Sequence, residues 1–135
     1  MLKPRNFVQR MVDEAVEEAI ENINIKTAIN LFTAGYDLNT INAVIKLSFE
    51  EIEDILIDNN LLDRKELEGV TDIGKVTISE EKKAEVEEHL NQLRNTAIKV
   101  IELYYDNLDL EDIAKQTNLS VYQVEDLLRE NELIE

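Results

Sequence analysis

Residues 28–63, AINLFTAGYDLNTINAVIKLSFEEIEDILIDNNLLD, decide the fold, because residues 100–135, VIELYYDNLDLEDIAKQTNLSVYQVEDLLRENELIE, align with them without a gap. The offset is 72 residues, and twelve of the 36 positions are identical. Among them are Asp37/Asp109, Ile41/Ile113, Leu47/Leu119, Ser48/Ser120, Glu53/Glu125, Asp54/Asp126, Leu56/Leu128 and Asn59/Asn131. The shared positions are those that start helices and those that bury them. Asp37 and Asp109 are carboxylate N-caps, each opening a short helix. Ser48 with Glu51, and Ser120 with Gln123, form capping boxes that open the next short helix. A segment that returns with its caps and apolar sites intact predicts an internal duplication.

Outward from each copy, the same plan continues. Before the first, Val8, Met11, Val12, Ala15, Val16, Ala19, Ile20 and Ile23 recur at three- and four-residue steps, while Asp13, Glu14, Glu17, Glu18 and Glu21 fill the opposite face. That pattern predicts an amphipathic helix. A further helix is expected over Thr27–Ala34, stopped by Gly35. Before the second copy, Val86, Leu90, Leu93, Ala97, Val100, Ile101 and Tyr104 draw another apolar stripe on a helix beginning near Ser79. Between the copies, Asp63–Ile78 holds Gly69 and Gly74, two of the three glycines, and spaces Val70, Ile73, Val76 and Ile78 like extended residues. The expected architecture is therefore all-α. Residues 1–62 form one helical unit, 63–78 a linker or short hairpin, and 79–135 a second unit.

Composition narrows the function. The 135 residues carry 30 acidic and 14 basic side chains, a net charge of −16, with 44% hydrophobic residues and no cysteine. Such a chain is expected to be globular and cytoplasmic, with no disulfide framework, no signal-like segment and no membrane-length apolar run. Its field repels phosphate backbones and anionic membranes and favours basic protein surfaces. Long amphipathic helices in so short a chain need a second apolar face, supplied by a partner copy in a homodimer or by the other half of the same chain.

The stretch from Ile101 through Asp109, Ile113-Ala114, Asn118-Leu119-Ser120, Val124 and Leu127-Leu128 resembles the helix-turn-helix of sigma-factor region 4 and related response-regulator domains. The first copy, from Ala28 to Gly35 and from Leu47 to Ile52, is similar to the helical tails of recombination-promoting nucleases and transposases. Together the resemblances cover about half the chain. They imply a tandem helix-turn-helix-like fold, and for the second copy a DNA-reading helix. In such a helix, basic and amide side chains face bases and phosphates. The first copy has Glu50, Glu51, Glu53 and Asp54 there and no basic residue. The second has Tyr122, Gln123 and Arg129, which suit DNA, beside Glu125 and Asp126, which oppose it. Other basic groups are scattered in small clusters: Lys3, Arg5 and Arg10; Arg64 and Lys65; Lys82 and Lys83.

Chemistry finds little purchase. Asp72, Glu80 and Lys82 mimic a nuclease carboxylate motif, but Ser79-Glu80-Glu81 reads as a helix start rather than a strand. His89, the single histidine, lies among Glu85, Glu87 and Glu88 as a surface side chain. Ser48, Ser79 and Ser120 all stand where N-caps belong. Neither a cofactor nor a metal site is expected, and the chain reads as non-enzymatic. Two functions follow. The first is an acidic binding module (an adaptor, inhibitor or regulator of the kind found in bacteria, phages and mobile elements) that docks on a basic protein. Its candidate contacts are Phe49, Glu50, Glu51, Glu53, Asp54, Tyr122, Glu125 and Asp126. Exposed aromatics among acids make such an edge, whereas buried ones only fill a core. The alternative is a dimeric helix-turn-helix transcription regulator contacting DNA through Tyr122, Gln123 and Arg129.

Overall fold

The computed structural model describes residues 4–62 and 76–134. The fold is all-α, with six helices among the described residues: α1 (Pro4–Thr33), α2 (Leu38–Ile45), α3 (Phe49–Asp58), α4 (Glu80–Tyr105), α5 (Leu110–Thr117) and α6 (Val121–Glu130). None is long and apolar enough to cross a membrane. The separate helix expected over Thr27–Ala34 is instead the last part of α1. Asn24, Ile25 and Lys26 interrupt the apolar rhythm, yet no glycine or proline stops the backbone there, so the helix runs through.

Every anticipated cap is made. The Asp37 carboxylate accepts from Thr40 N at 2.8 Å, and Asp109 accepts from Asp112 N at 2.9 Å. Ser48 Oγ accepts from Glu51 N and Ser120 Oγ from Gln123 N, both at 3.1 Å, and both boxes are completed in the reverse direction. Ser79 Oγ accepts from Lys82 N at 3.2 Å at the start of α4. α2 and α5 both end on a left-handed residue, Lys46 at φ 67° and Asn118 at φ 59°. Helix bounds, caps and turns of α2–α3 thus recur in α5–α6 at the same 72-residue offset.

α1 ends in a Schellman motif: Gly35 N donates to Phe32 O at 3.0 Å and Tyr36 N to Leu31 O at 3.1 Å. Gly35 sits at φ +99°, where an added Cβ meets no neighbour within 4 Å, so the cost of a side chain there is backbone strain alone. Asn107 closes α4 at the offset position with φ 67°. Gly35→Ala is therefore expected to lower stability by about 1 kcal/mol, and Gly35→Asn by less, as read from urea midpoints.

By packing, the chain divides into Asn24–Leu90 as one compact unit and Met1–Ile23 with Asn91–Glu135 as the other. These are not residues 1–62 and 79–135, because both long helices are cut within their length. The physical reason lies in the stripes. In the second unit, Val12, Ala15 and Ala19 of α1 pack with Ala97 and Ile101 of α4, and half-buried Leu127 and Leu133 close against them. Leu127 and Leu133 also border a second cluster of Val100, Ile113, Ala114, Val124 and Leu128. The Tyr104 hydroxyl donates to Leu133 O at 3.2 Å, and Asn22 Nδ2 donates to Asn131 Oδ1 at 2.9 Å. Among the described residues of the unit Asn24–Leu90, the buried apolar side chains are Ala28, Leu31, Ile41, Val44, Ile45, Ile52, Leu56, Leu62 and Leu90.

Of the expected linker, Val70 and Ile73 lie outside the described residues. Its described end is extended. Val76 pairs in parallel with Tyr36, as Asp37 N donates to Val76 O at 2.9 Å and Val76 N to Gly35 O at 3.1 Å.

Candidate functional site

The residues proposed to bind protein stand on two helices, one in each unit. On α3, the capping box fixes the first turn, which leaves Glu50, Glu51 and Asp54 exposed and Glu53 half-buried. Phe49 is 42% exposed and does not fill the core, which Ile52 and Leu56 occupy. Glu51 has a structural task, since its carboxylate accepts from Ser48 N at 3.3 Å. Glu50 and Asp54 are one turn apart, as are Phe49 and Glu53, so α3 presents an aromatic ring beside carboxylates.

On α6, Tyr122 is 78% exposed, and Val124 and Leu128 turn into the core instead. Asp126 lies four residues on and Arg129 seven, on the same side of the helix. The guanidinium of Arg129 reaches Asp126 at 3.6 Å and Glu125 at 3.9 Å. Such exposed pairs add little stability. Their effect is on recognition: a phosphate at Arg129 would displace one carboxylate and remain beside the other. Gln123, the second residue suited to DNA, has its side-chain oxygen engaged by Ser120 N at 2.9 Å. Of the three candidate DNA contacts, Tyr122 alone projects without a bonded partner among the described residues.

Of the nuclease-like motif, two of the three residues are described. Glu80 and Lys82 lie in the first turn of a helix, Lys82 pairs with Glu85 at 3.7 Å, and Asp72 lies outside the described residues. His89 is exposed on α4.

A polar clamp at the corner of α1 and α2 is absent from the sequence reading. Asp37, which is buried, does more than cap α2: its second carboxylate oxygen accepts from the Thr77 hydroxyl at 2.8 Å, and Ile78 N donates to Thr40 Oγ1 at 3.2 Å. Burial alone would raise the Asp37 pKa, but the hydrogen bonds from Thr40 and Thr77 outweigh it and hold the carboxyl below its ordinary value of 3.8. The available signal was the run Val76-Thr77-Ile78, whose extended character was legible while its partner forty residues away was not. Also unforeseen is a groove of about 730 Å³ in the unit of Met1–Ile23 with Asn91–Glu135, with apolar lining from Val8, Val12, Ile98 and Leu103 and charged lining from Lys99, Glu102 and Asp106. Comparison with known protein families, curated proteins and solved structures gives no match to this chain.

Proposed function

We propose that this chain is a non-enzymatic acidic binding module that acts through protein–protein contacts with a basic partner. The observation that carries the reading is the exposure of Tyr122 among Asp126, Glu125 and their shared Arg129, matched on α3 by exposed Phe49 among Glu50, Glu53 and Asp54. An exposed aromatic side chain has few rotatable bonds and so contributes contact area at little entropic cost, and a carboxylate rim selects a cationic partner and speeds encounter. The engagement of Gln123 and Arg129 weighs against base reading by α6.

Affinity capture from lysate, split into nuclease-treated and untreated halves, tests this together with variants. A bound protein should be recovered equally from both halves. The triple change Glu50→Lys, Glu53→Lys, Asp54→Lys leaves the Glu51 cap in place and should lower recovery about tenfold or more, as should Tyr122→Ala if α6 also makes contact. Recovery that collapses on nuclease treatment would instead assign the chain to nucleic acid.

A further inference from the structure

The clamp in the unit Asn24–Leu90 has a geometrical counterpart that no described residue straps. At the offset of 72, Gly35, Tyr36, Asp37 and Thr40 correspond to Asn107, Leu108, Asp109 and Asp112. The local frame is the same. Asn107 N donates to Tyr104 O at 3.1 Å, Leu108 N to Leu103 O at 3.3 Å, and Asp112 N to Asp109 Oδ1 at 2.9 Å, as their counterparts do. In the first copy this corner holds the extended strap Val76-Thr77-Ile78 through Gly35 O, Asp37 N, the Asp37 carboxylate and Thr40 Oγ1. In the second, no described residue bonds Asn107 O, Asp109 N or the other Asp109 carboxylate oxygen, and Asn107, Asp109 and Asp112 are exposed.

The charge around the two corners differs sharply. Ala34, Asn39 and Thr40 of the strapped corner are replaced by Asp106, Glu111 and Asp112. With Asp109, four carboxylates fall within seven residues. The side chains that follow have changed too: Val44 and Ile45 are buried, while Gln116 is exposed and Thr117 half-buried. A strap at this corner would meet backbone groups and carboxylates.

We infer that the corner Asn107–Asp112 is a docking edge for an extended segment of a partner protein whose central residue is arginine or lysine. That segment pairs its backbone with Asn107 O and Asp109 N, as Val76 does at the other corner, and its cation takes the place of the Thr77 hydroxyl against Asp109. The inference rests on the binding-module reading and specifies the shape and charge of what is bound.

Two capped hexapeptides with the sequence of residues 74–79 test it, one with arginine and one with glutamate in place of Thr77, titrated into the full ¹⁵N-labelled chain. The arginine peptide should saturate, with the largest amide shifts at Leu108–Asp112, and bind about tenfold or more tightly than the glutamate peptide. Asp109→Asn with Asp112→Asn keeps an N-cap of equal quality and should weaken the arginine peptide about fivefold, with amide dispersion unchanged. No saturation at millimolar peptide, shifts centred elsewhere, or indifference to the central charge overturns the inference. So do concentration-dependent shifts of the same amides without peptide, which assign the edge to a second copy. If Asp109→Asn/Asp112→Asn still captures the partner that the α3 triple variant loses, this edge is excluded and the binding-module reading stands.

Discussion

Alanine in place of Leu128 is expected to lower unfolding free energy by about 3 kcal/mol, in the range for large-to-small changes at sites that cannot collapse. Leu128 is fully buried with Val100, Ile113, Ala114 and Val124, on a helix whose first turn is pinned by the Ser120–Gln123 box. A pinned helix cannot slide inward to fill the space, so most of the cavity persists. For a chain of this length the loss corresponds to a melting temperature lower by about 10 °C. Leu56, fully buried at the offset position, should behave alike, whereas Tyr122→Ala on the opposite face of α6 should stay within about 0.5 kcal/mol of the parent. A small effect at Leu128 beside a large one at Tyr122 would invert the assignment of faces on which the proposed binding surface depends.

The second large effect separates two caps that look alike in the sequence. Asp109→Ala should cost about 1 kcal/mol, the ordinary loss of an N-cap. Asp37→Ala should cost about 2 kcal/mol, because the same change strips the Thr77 hydroxyl of its acceptor and loosens the strap at Val76 and Ile78. The difference carries a pH signature. The folded-state pKa of Asp37 is lowered, so its ionised form contributes stability that is fully present above the unfolded value near 3.8 and is lost as pH falls through the lower folded value. The gap between the parent and Asp37→Asn should be constant from pH 7 to about pH 5 and shrink below pH 4. Urea midpoints at four or five pH values measure it. A gap that widens in acid would contradict the hydrogen bonding drawn for the clamp.

What was legible in the sequence is what neighbouring residues decide. Asp37, Ser48 with Glu51, Asp109, and Ser120 with Gln123 announce helix starts because a cap needs only a short polar side chain and an N–H three residues on. Gly35 announces a stop because few other residues reach its backbone angles cheaply. The division into compact units was not legible, since Val12, Ala15 and Ala19 advertise a need for an apolar face without saying whose. Nor was the clamp, because Thr77 and Asp37 lie forty residues apart and neither is unusual alone. For the candidate surface, the residue types were readable but their exposure was not: Phe49 follows a capping serine in a position that is buried or open according to what packs nearby.

The compact units also set an order of events during synthesis. Asn24–Leu90 is contiguous, so all its residues are available once Leu90 has emerged. Val12, Ala15 and Ala19 are made before that unit yet close only after it, because Ala97, Ile101, Leu127 and Leu133, against which they pack, all follow Leu90 in the chain. At about 5–20 residues per second the wait lasts on the order of ten seconds. Through that interval Val12, Ala15 and Ala19 lack the apolar side chains they pack against in the folded chain. An apolar stripe that precedes a self-contained unit thus depends on shielding until the residues beyond that unit have been made.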